Sequence, residues 1–419
     1  MRRLYTLLLY LALPWVSLVV LLRGLRDREY WRGWGERFGA GPMGHGGGVW
    51  VHAVSVGEVQ AAVILIEALR ARDSTLELAL TCATPTGRTR AAALLPGVAV
   101  SYAPYDLPGS VRRFLKRSRP RLLIVLETEL WPNLLFEVWR AGVPTVIASA
   151  RVSERSTLRY RRFPSLLQDA LAANVWIGAQ SSADAQRFAL LGVPPARLRV
   201  LGNIKFDRSV AADLPQRGAA LRARYASGRP VWLAGSTHPG EEQQVLQAHQ
   251  RLRQQLPDAL LVLAPRHPQR FEAVADSIAA SGLSFVRRSR PAETVAGSAV
   301  VLLDTLGELM EFYAATDVAY VGGSLVPVGG HNLLEPAALG VPIVTGPHQF
   351  NSPQIARSMA DAHAVTIVHS AQELADAVIR LLRDPAAREA QGAAARAVID
   401  ANRGALSRVL DLIEQVRAA

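Results

Sequence analysis

Short apolar runs alternate with amphipathic or Ala/Leu-rich stretches along most of this 419-residue chain. From about residue 49 the apolar runs are VWVHAV, LELALTCA, VAVSYA, RLLIVLE, PTVIASA, VWIGAQ and LRVLG, and each is followed by a helical pattern. Buried strands that alternate with helices are typical of βαβ units on a parallel sheet. The pattern therefore predicts an α/β fold.

A polar, Arg/Ala-rich interval near 207–228 interrupts this alternation. It then restarts with PVWLAGS, ALLVLAP, SFVRR, AVVLLD, VAYVGG, PIVTG and AVTIV, and a long helical stretch covers 385–418. A chain of this length exceeds what one hydrophobic core usually serves, and half of its residues are hydrophobic, so two domains can each have a core. We predict two Rossmann-like domains facing a central cleft, with ligands bound where the strand carboxyl ends face each other.

The N-terminal run LYTLLLYLALPWVSLVVLL, residues 4–22, carries no charged side chain. At about 1.5 Å per residue, a helix of this length just crosses a bilayer core. Pro14, Tyr10 and Trp15 also fit a bent or shallowly inserted helix, so spanning and interfacial positions both stay open. A cleaved signal peptide is disfavoured because no A-x-A-type site precedes the Arg-rich flank. The heavier positive charge after the run predicts that the chain beyond it lies on the cytoplasmic side of the membrane.

The formal net charge of +12 indicates an anionic partner. Basic residues gather beside the apolar run and in VRRFLKRSRPR at 111–121, without the aromatic and basic alternation of an RNA-binding sheet. This favours a membrane surface over nucleic acid. The single cysteine, Cys82, excludes an internal disulfide and is expected in the core. Lysine occurs only at 116 and 205. Because lysine carries a compact point charge and arginine does not, these two positions are candidates for a site that needs such a charge.

Four charged residues follow predicted strands in the first half. In VHAVSVGEVQAA, Glu58 is predicted in the first turn of a helix, where a carboxylate also has a purely structural use against the helix dipole. The glycines there do not form G-x-G-x-x-G. In RLLIVLETELWPN, Glu127 and Glu129 end an apolar strand, a costly place for a carboxylate unless it is paired or faces the cleft. Lys205 in LGNIKFD is either a site residue or a solvated lysine.

Four polar stretches follow predicted strands in the second half: AGSTHPGEEQ, APRHPQRF, DTLGELMEFY and GGSLVPVGGHNLLEPAALGVPIVTGP. Arg266 and His267 come directly after a buried strand and suit a phosphate or carboxylate. Helices predicted to begin at Gly307 and at His331 would aim backbone N–H groups at an anion. Glu335, one turn further on, can accept hydrogen bonds from ribose hydroxyls. Together the four stretches favour a nucleotide site over an ordinary set of Gly-rich turns.

A metal site is not expected. His238, His267 and His331 have spacings that fit no zinc pattern, and the chain contains no Asp-x-Asp. We expect no cofactor.

Several short motifs occur along the chain in the same order as in a known family. The apolar N-terminus, WGERFG, HAVSVGE, TPTG, PYDLP, ETELWPN, GNIKFD, STHPGEE, PRHPQRF, GELM and GGHNLLEP together resemble the 3-deoxy-D-manno-octulosonic acid (Kdo) transferases of lipopolysaccharide synthesis. The resemblance covers essentially the whole chain. It implies the GT-B glycosyltransferase fold and inverting, metal-independent transfer of Kdo from CMP-Kdo to a lipid A precursor (lipid IVA). It also implies a location at the inner membrane, on the cytoplasmic side.

The resemblance also implies roles for individual residues. Glu58 matches the family's general base, and Glu127 and Lys205 match the pair that stabilises the transition state. The CMP-binding segments match Pro265, Arg266, Leu306, Gly307, Glu308, Asn332, Leu333, Leu334 and Glu335. Two positions depart from the family's pattern: Ser149 stands where members read Asn, which puts a polar contact there in doubt, and Leu333 replaces a commoner Pro.

The predicted organisation is a membrane anchor at 1–24, an acceptor domain at 25–210, a linker at 211–228, a CMP-sugar domain at 229–384 and a C-terminal helical segment at 385–419. The predicted partners are CMP-Kdo, the lipid A precursor and inner-membrane lipid. Two other functions stay open: a GT-B enzyme that uses a UDP-sugar on a lipid acceptor, and a non-catalytic basic protein of the membrane surface.

Overall fold

The computed structural model describes residues 1–41, 46–208, 210–290 and 297–418. The chain divides into two compact units. The first comprises Met1–Arg208 and Asn402–Ala419, and the second comprises Ser209–Ala401. Within the described residues each unit contains one seven-stranded sheet, and every neighbouring pair of strands is parallel. The α/β prediction is confirmed.

The first sheet has the strand order β3-β2-β1-β4-β5-β6-β7. Its strands are β1 Val49–His52, β2 Leu78–Cys82, β3 Ala99–Tyr102, β4 Leu122–Leu126, β5 Thr145–Ala150, β6 Val175–Ala179 and β7 Leu198–Val200. The central strands β1 and β4 are buried at every position, as expected for parallel strands covered by helices on both faces. The strand order reverses direction between β1 and β4, which is where open α/β sheets bind ligands.

The second sheet repeats this arrangement with the order β10-β11-β9-β8-β12-β13-β14. Its strands are β8 Val231–Thr237, β9 Leu260–Pro265, β10 Phe285–Arg287, β11 Val300–Leu302, β12 Val318–Val321, β13 Ile343–Thr345 and β14 Val365–Ile367. Here the order reverses between β8 and β12, so the segments that follow these two strands occupy the expected ligand position.

Helices connect and cover the strands. They are α1 Arg2–Arg26, α2 Trp34–Arg37, α3 Val56–Arg72, α4 Pro85–Leu94, α5 Pro108–Ser118, α6 Pro132–Arg140, α7 Glu154–Arg161, α8 Gln168–Asn174, α9 Ser182–Leu190, α10 Leu214–Ala226, α11 Glu241–Gln255, α12 Phe271–Ala280, α13 Leu309–Ala314, α14 Leu334–Ala338, α15 Pro353–Asp361, α16 Ala371–Arg383, α17 Pro385–Asn402 and α18 Ala405–Ala418. Of these, α1 is long and apolar enough to cross a membrane.

The structure differs in detail from two of the predicted segments. The interval 211–228 contains α10, and Leu221 and Tyr225, four residues apart on one helix face, are buried in the core of the second unit. The stretch 385–419 is two helices. The second of them, α18, buries Val409 and Ile413 in the core of the first unit. In both segments, apolar side chains at helical spacing pack into a core.

Candidate active site

Glu58 lies in the first turn of α3, directly after β1. Ser55 caps the helix, because its Oγ accepts a hydrogen bond from the Glu58 backbone N–H at 3.3 Å. The carboxylate reaches back and accepts from Val54 N at 2.7 Å and from Ser55 Oγ at 2.8 Å. This reciprocal capping fixes the carboxylate at the carboxyl end of β1.

Glu127 follows β4, the neighbour of β1, and is only 4% exposed. Its backbone adopts a left-handed conformation, with φ of 58°. One carboxylate oxygen accepts a hydrogen bond from Lys205 Nζ at 2.5 Å, and the other accepts from Arg151 Nε at 2.9 Å. Burial alone would raise the pKa of Glu127, but the two cations outweigh it, so the pKa lies below its usual value. The carboxylate is therefore charged and paired.

Lys205 also lies beside the helix that carries Glu58. A Cβ placed at Gly57, in the first turn of α3, would be 3.8 Å from Lys205 Nζ. Lys205 is held by a short helical turn, Ile204–Asp207, that Asn203 caps through its side chain. The structure thus brings together in the first unit all three residues predicted to be catalytic, Glu58, Glu127 and Lys205.

The electrostatic surroundings of Glu58 differ from those of Glu127. Burial, followed by the negative charges of Glu129 and Glu127, raises the pKa of Glu58 to about 7, and the bonds from Val54 and Ser55 only partly oppose the rise. Glu129 accepts from Trp131 Nε1 at 2.6 Å, and burial raises its pKa as well. A carboxyl group that is half ionised near neutral pH is suited to accept a proton.

Two further residues, Arg151 and Ser149, contact this site. Arg151, on the segment after β5, was not singled out, because no local pattern links it to Glu127, 24 positions earlier. Ser149 does make a polar contact: its Oγ accepts from the backbone N–H of Ile204 at 3.1 Å, next to Lys205. Ser149 therefore helps to position the turn that carries the lysine.

In the second unit, Pro265 ends β9 and Arg266 follows it. The Arg266 backbone N–H donates to Thr237 O at 3.0 Å, which ties the ends of β8 and β9 together. Arg266 is half-buried and makes further interactions. This is the sheet edge at which the sequence predicted an anion site.

The segment Leu306–Glu308 lies after β11. Leu306 is 71% exposed, and Gly307 has φ of 91° with no atom within 4 Å of where a Cβ would stand. Glu308 pairs with Arg288 at 2.6 Å and accepts a hydrogen bond from Thr305 Oγ1. The helix predicted to begin at Gly307 starts two residues later, at Leu309, and has six residues, so its dipole is small.

Asn332, Leu333, Leu334 and Glu335 follow β12 and a Gly-rich turn. Asn332 Oδ1 accepts from the backbone N–H of Leu334 at 3.1 Å, Leu333 and Leu334 are buried, and Glu335 is half-buried. Helix α14 begins at Leu334, three residues later than predicted, and has five residues. Because this helix is short, the polar groups of the segment are mainly the side chains of Asn332 and Glu335 and the backbone of the turn.

Glu241, in STHPGEE, organises the Gly-rich turn, a role that the sequence analysis did not assign. The fully buried carboxylate accepts hydrogen bonds from Gly323 N, Ser324 N, Leu325 N, His238 N and Tyr320 Oη at 2.6–3.0 Å. It thereby joins the segments after β8 and β12, the two strands between which the sheet order reverses.

Three histidines that were not expected to bind a metal lie together at the carboxyl edge of the second sheet. His238 and His331 stack with an Nε2 to Nε2 distance of 2.8 Å, and the His267 ring stands edge-on to His238 at 5.2 Å between centroids. Burial, with neighbouring cations and imidazoles, lowers the pKa of each, that of His331 to about 3. Among the described residues no group of three or more His, Cys, Asp and Glu side chains could hold a metal ion.

Two family models match the chain, one to each unit. Residues 32–208 match the model described as 3-deoxy-D-manno-octulosonic-acid transferase (kdotransferase), and residues 241–398 match glycosyl transferases group 1. The chain is similar in fold to the crystal structure of UDP-GlcNAc 2-epimerase from Neisseria meningitidis bound to UDP-GlcNAc, with a TM-score of 0.57 and 13% identity. That likeness covers 88% of this chain and 99% of the other, and it confirms the GT-B type of fold.

Full-length relatives carry the stronger similarity. The chain is 40% identical over 420 residues to the 3-deoxy-D-manno-octulosonic acid transferase of Haemophilus influenzae, covering 99% of this chain and 98% of the relative. It is 39% identical over 440 residues to the transferase of the same name from Bordetella pertussis, covering 99% of each. By similarity along its whole length, the chain belongs to the 3-deoxy-D-manno-octulosonic acid transferase family of glycosyltransferases.

Proposed function

We propose that this protein transfers Kdo from CMP-Kdo to the lipid A precursor lipid IVA by a single inverting displacement. The observation that supports this most is the cluster in the first unit, in which Glu58 has a pKa raised to about 7 close to the ion-paired Glu127 and Lys205. A carboxyl group able to take a proton beside a fixed cation suits attack by a hydroxyl group on a sugar that carries an anionic leaving group.

In this mechanism Glu58 is the general base. The acceptor hydroxyl loses its proton to the Glu58 carboxylate while its oxygen forms a bond to the anomeric carbon of Kdo. The bond from that carbon to the CMP phosphate oxygen breaks, and CMP leaves with the bonding electron pair. The capping contacts from Val54 and Ser55 hold the carboxylate in place for this step.

Lys205 provides positive charge where negative charge develops in the transition state. Glu127 fixes the ammonium group at 2.5 Å, so the lysine loses little freedom when the reaction occurs. Arg151 balances the second oxygen of Glu127. Lys205 and Arg151 thus pair with the two oxygens of the charged Glu127 carboxylate.

We place CMP in the second unit, at Pro265 and Arg266, Leu306 to Glu308, and Asn332 to Glu335. These segments follow β9, β11 and β12 of the same sheet, so they lie at one edge. Arg266 suits the phosphate, and the half-buried Glu335 suits the ribose hydroxyls. Glu308 is already neutralised by Arg288, which indicates that this segment contributes the open backbone at Gly307 rather than a free carboxylate.

The proposed organisation assigns residues 1–24 to membrane anchoring, 25–210 to the acceptor and 229–384 to the CMP-sugar, with the catalytic units on the cytoplasmic side of the inner membrane. We also propose that transfer needs no metal, because Lys205 and Arg151 provide fixed positive charge at the site. Activity on intact CMP-Kdo should be unchanged by EDTA. Loss with EDTA and recovery with magnesium would contradict this.

Incubating the purified protein with CMP-Kdo and lipid IVA, with mass spectrometry of the lipid, tests the function directly. The expected product is lipid IVA with added Kdo, and NMR of the new glycosidic bond should show inversion. Binding measurements should favour CMP over UDP. Preference for UDP would support a different sugar donor, and absence of both nucleotide binding and turnover would support a non-catalytic membrane protein.

A further inference from the structure

The first turns of α1 are tied to the body of the first unit by polar contacts. Tyr5 Oη donates a hydrogen bond to Asp106 Oδ2 at 2.8 Å, and Thr6 Oγ1 donates to Asn133 Oδ1 at 2.9 Å. Asp106 in turn accepts from the backbone N–H groups of Asn133 and Leu134 at the start of α6. The N-terminal end of the apolar helix is therefore seated on a polar part of the fold.

The other end of α1 returns to the same part of the molecule. Trp31 folds back on the helix and donates from Nε1 to Leu21 O at 2.9 Å. Just beyond the helix, Tyr102 at the end of β3 contacts the chain: its hydroxyl donates to Glu29 O at 3.3 Å. Tyr102 and Asp106, which receive the two ends, are only four residues apart in the chain.

These two attachments are incompatible with a helix that crosses a bilayer. Tyr5 and Glu29 are hydrogen-bonded to residues of the same compact unit, whereas a hydrocarbon core is about 30 Å thick. If α1 crossed the core, Tyr5 and Thr6 would lie on the opposite side of it from Glu29. Both attachments hold only when the helix runs alongside the first unit.

The outward side of α1 is a continuous apolar surface with aromatic residues in its middle. Its exposed apolar positions include Leu4, Leu7, Leu8, Leu11, Val16, Leu18, Leu21, Leu22 and Leu25. Tyr10 and Trp15 are exposed among them, and Trp15, 69% exposed, lies near the centre of the run. At the centre of a spanning helix the Trp15 N–H would face hydrocarbon, whereas at headgroup depth it meets water and lipid oxygens.

Positive charge flanks this surface at both ends. Arg3 is exposed at one end, and Arg23, Arg28 and Arg32 are exposed at the other. A helix in the plane of the membrane can place all of these arginines among anionic headgroups.

We propose that α1 lies in the plane of an anionic lipid surface, with its outward apolar face inserted to headgroup depth and both of its ends on the side of the catalytic units. This inference rests on the proposed anchoring by residues 1–24, but not on the transfer chemistry. It defines how the first unit is oriented: the face that carries Asp106 and Asn133 lies next to the lipid.

Thiol labelling in native membranes tests the proposal. Arg3→Cys and Arg32→Cys place exposed thiols at the two ends of α1, and the native Cys82 is buried, so background labelling is low. Lys116→Cys, at an exposed position on α5, marks the side occupied by the first unit. A membrane-impermeant maleimide should label all three variants in inverted inner-membrane vesicles and none in spheroplasts. Labelling of Arg3→Cys in spheroplasts only would overturn the proposal.

Depth measurements give a second, independent readout. A fluorophore attached to Leu4→Cys, Leu11→Cys or Leu22→Cys of the full chain should show the same shallow depth with lipid-bound quenchers in phosphatidylglycerol vesicles. A spanning helix would place Leu11→Cys deepest. A protein that fails to bind these vesicles would also contradict the proposal, whereas absence of Kdo transfer by the wild-type protein, with the expected labelling of the variants, would contradict only the proposed function.

Discussion

The carboxylate of Glu127 and the ammonium group of Lys205 lie 2.5 Å apart, although 78 positions separate them in the sequence. Because Glu127 follows β4 and Lys205 follows β7, the parallel sheet carries both to one edge. The contact holds the lysine beside the first turn of α3, where Glu58 lies. A cation placed this way needs no reorganisation as charge develops on a reacting group.

Replacing Lys205 by Ala should lower kcat by about 10²–10³, the usual cost of removing one preorganised electrostatic contact. CMP affinity should change little, because the proposed nucleotide residues lie in the second unit. Measuring kcat and CMP affinity on the same folded variant checks both. Lys116→Ala removes the chain's other lysine, which is exposed, and should leave both unchanged. Normal turnover by Lys205→Ala would show that Lys205 only pairs with Glu127 and has no role in catalysis.

Arg266→Ala should weaken CMP binding. Loss of a charge-assisted contact to phosphate costs about 1.5–3 kcal/mol, or roughly 10- to 150-fold in the dissociation constant. Calorimetric titration with CMP measures this directly. Arg251→Ala, at an exposed position on α11 of the same unit, is the matched control and should bind CMP normally. An unchanged CMP affinity in Arg266→Ala would show that the phosphate binds at another position.

The strands of both sheets could be predicted because buried parallel strands appear in sequence as short continuous apolar runs. Helix α10 could not, since its window is rich in Arg and Ala and its inward face depends on only a few apolar side chains. Likewise α13 and α14 are short, and the sequence signals for a helix start do not fix how many turns come after it.

Site residues were predictable where their chemistry is local. Glu58 belongs to a capping pattern, and Glu127 directly follows a continuous apolar strand, so both could be recognised in the sequence. Arg151 and Glu241 act through partners 24 and about 80 positions away, which no local pattern reveals. The three histidines each follow a strand of one sheet, which brings them to one edge, but their spacing in the sequence does not reveal the contacts between their rings.

Glu241→Ala should destabilise the second unit. The substitution leaves five donors without their shared acceptor, and an unsatisfied buried donor costs about 1–3 kcal/mol, although water that enters the space will restore some of the bonds. We expect the free energy of unfolding to fall by at least about 3 kcal/mol in denaturant titrations. Glu389→Ala, at an exposed position on α17, should have almost no effect. Equal stability of the two variants would show that the Gly-rich turn holds itself together.

Catalysis should depend on the ionisation of Glu58. Burial raises its pKa to about 7, and a general base must be ionised, so protonation below that pH removes the active form. We expect kcat/KM to rise about tenfold per pH unit at low pH and to level off above about pH 7. A pH series on the wild-type enzyme measures this. A profile that is flat from about pH 5 to about pH 8 would mean that no such base limits the reaction.

Glu58→Gln separates a catalytic from a structural role for this residue. Glutamine keeps the size of the side chain but cannot accept a proton at neutral pH, so kcat should fall by about 10²–10⁴ and the low-pH limb of the profile should disappear. CMP affinity should be retained. A Glu that only starts a helix predicts a stability loss of about 0.3–1 kcal/mol with near-normal turnover. The matched control is Glu67→Gln, an exposed position on the same helix, which should keep full activity. Because turnover, pH profile and CMP affinity are measured on one folded variant, wild-type turnover in Glu58→Gln would remove it as the base and leave Glu127 as the next carboxylate to test.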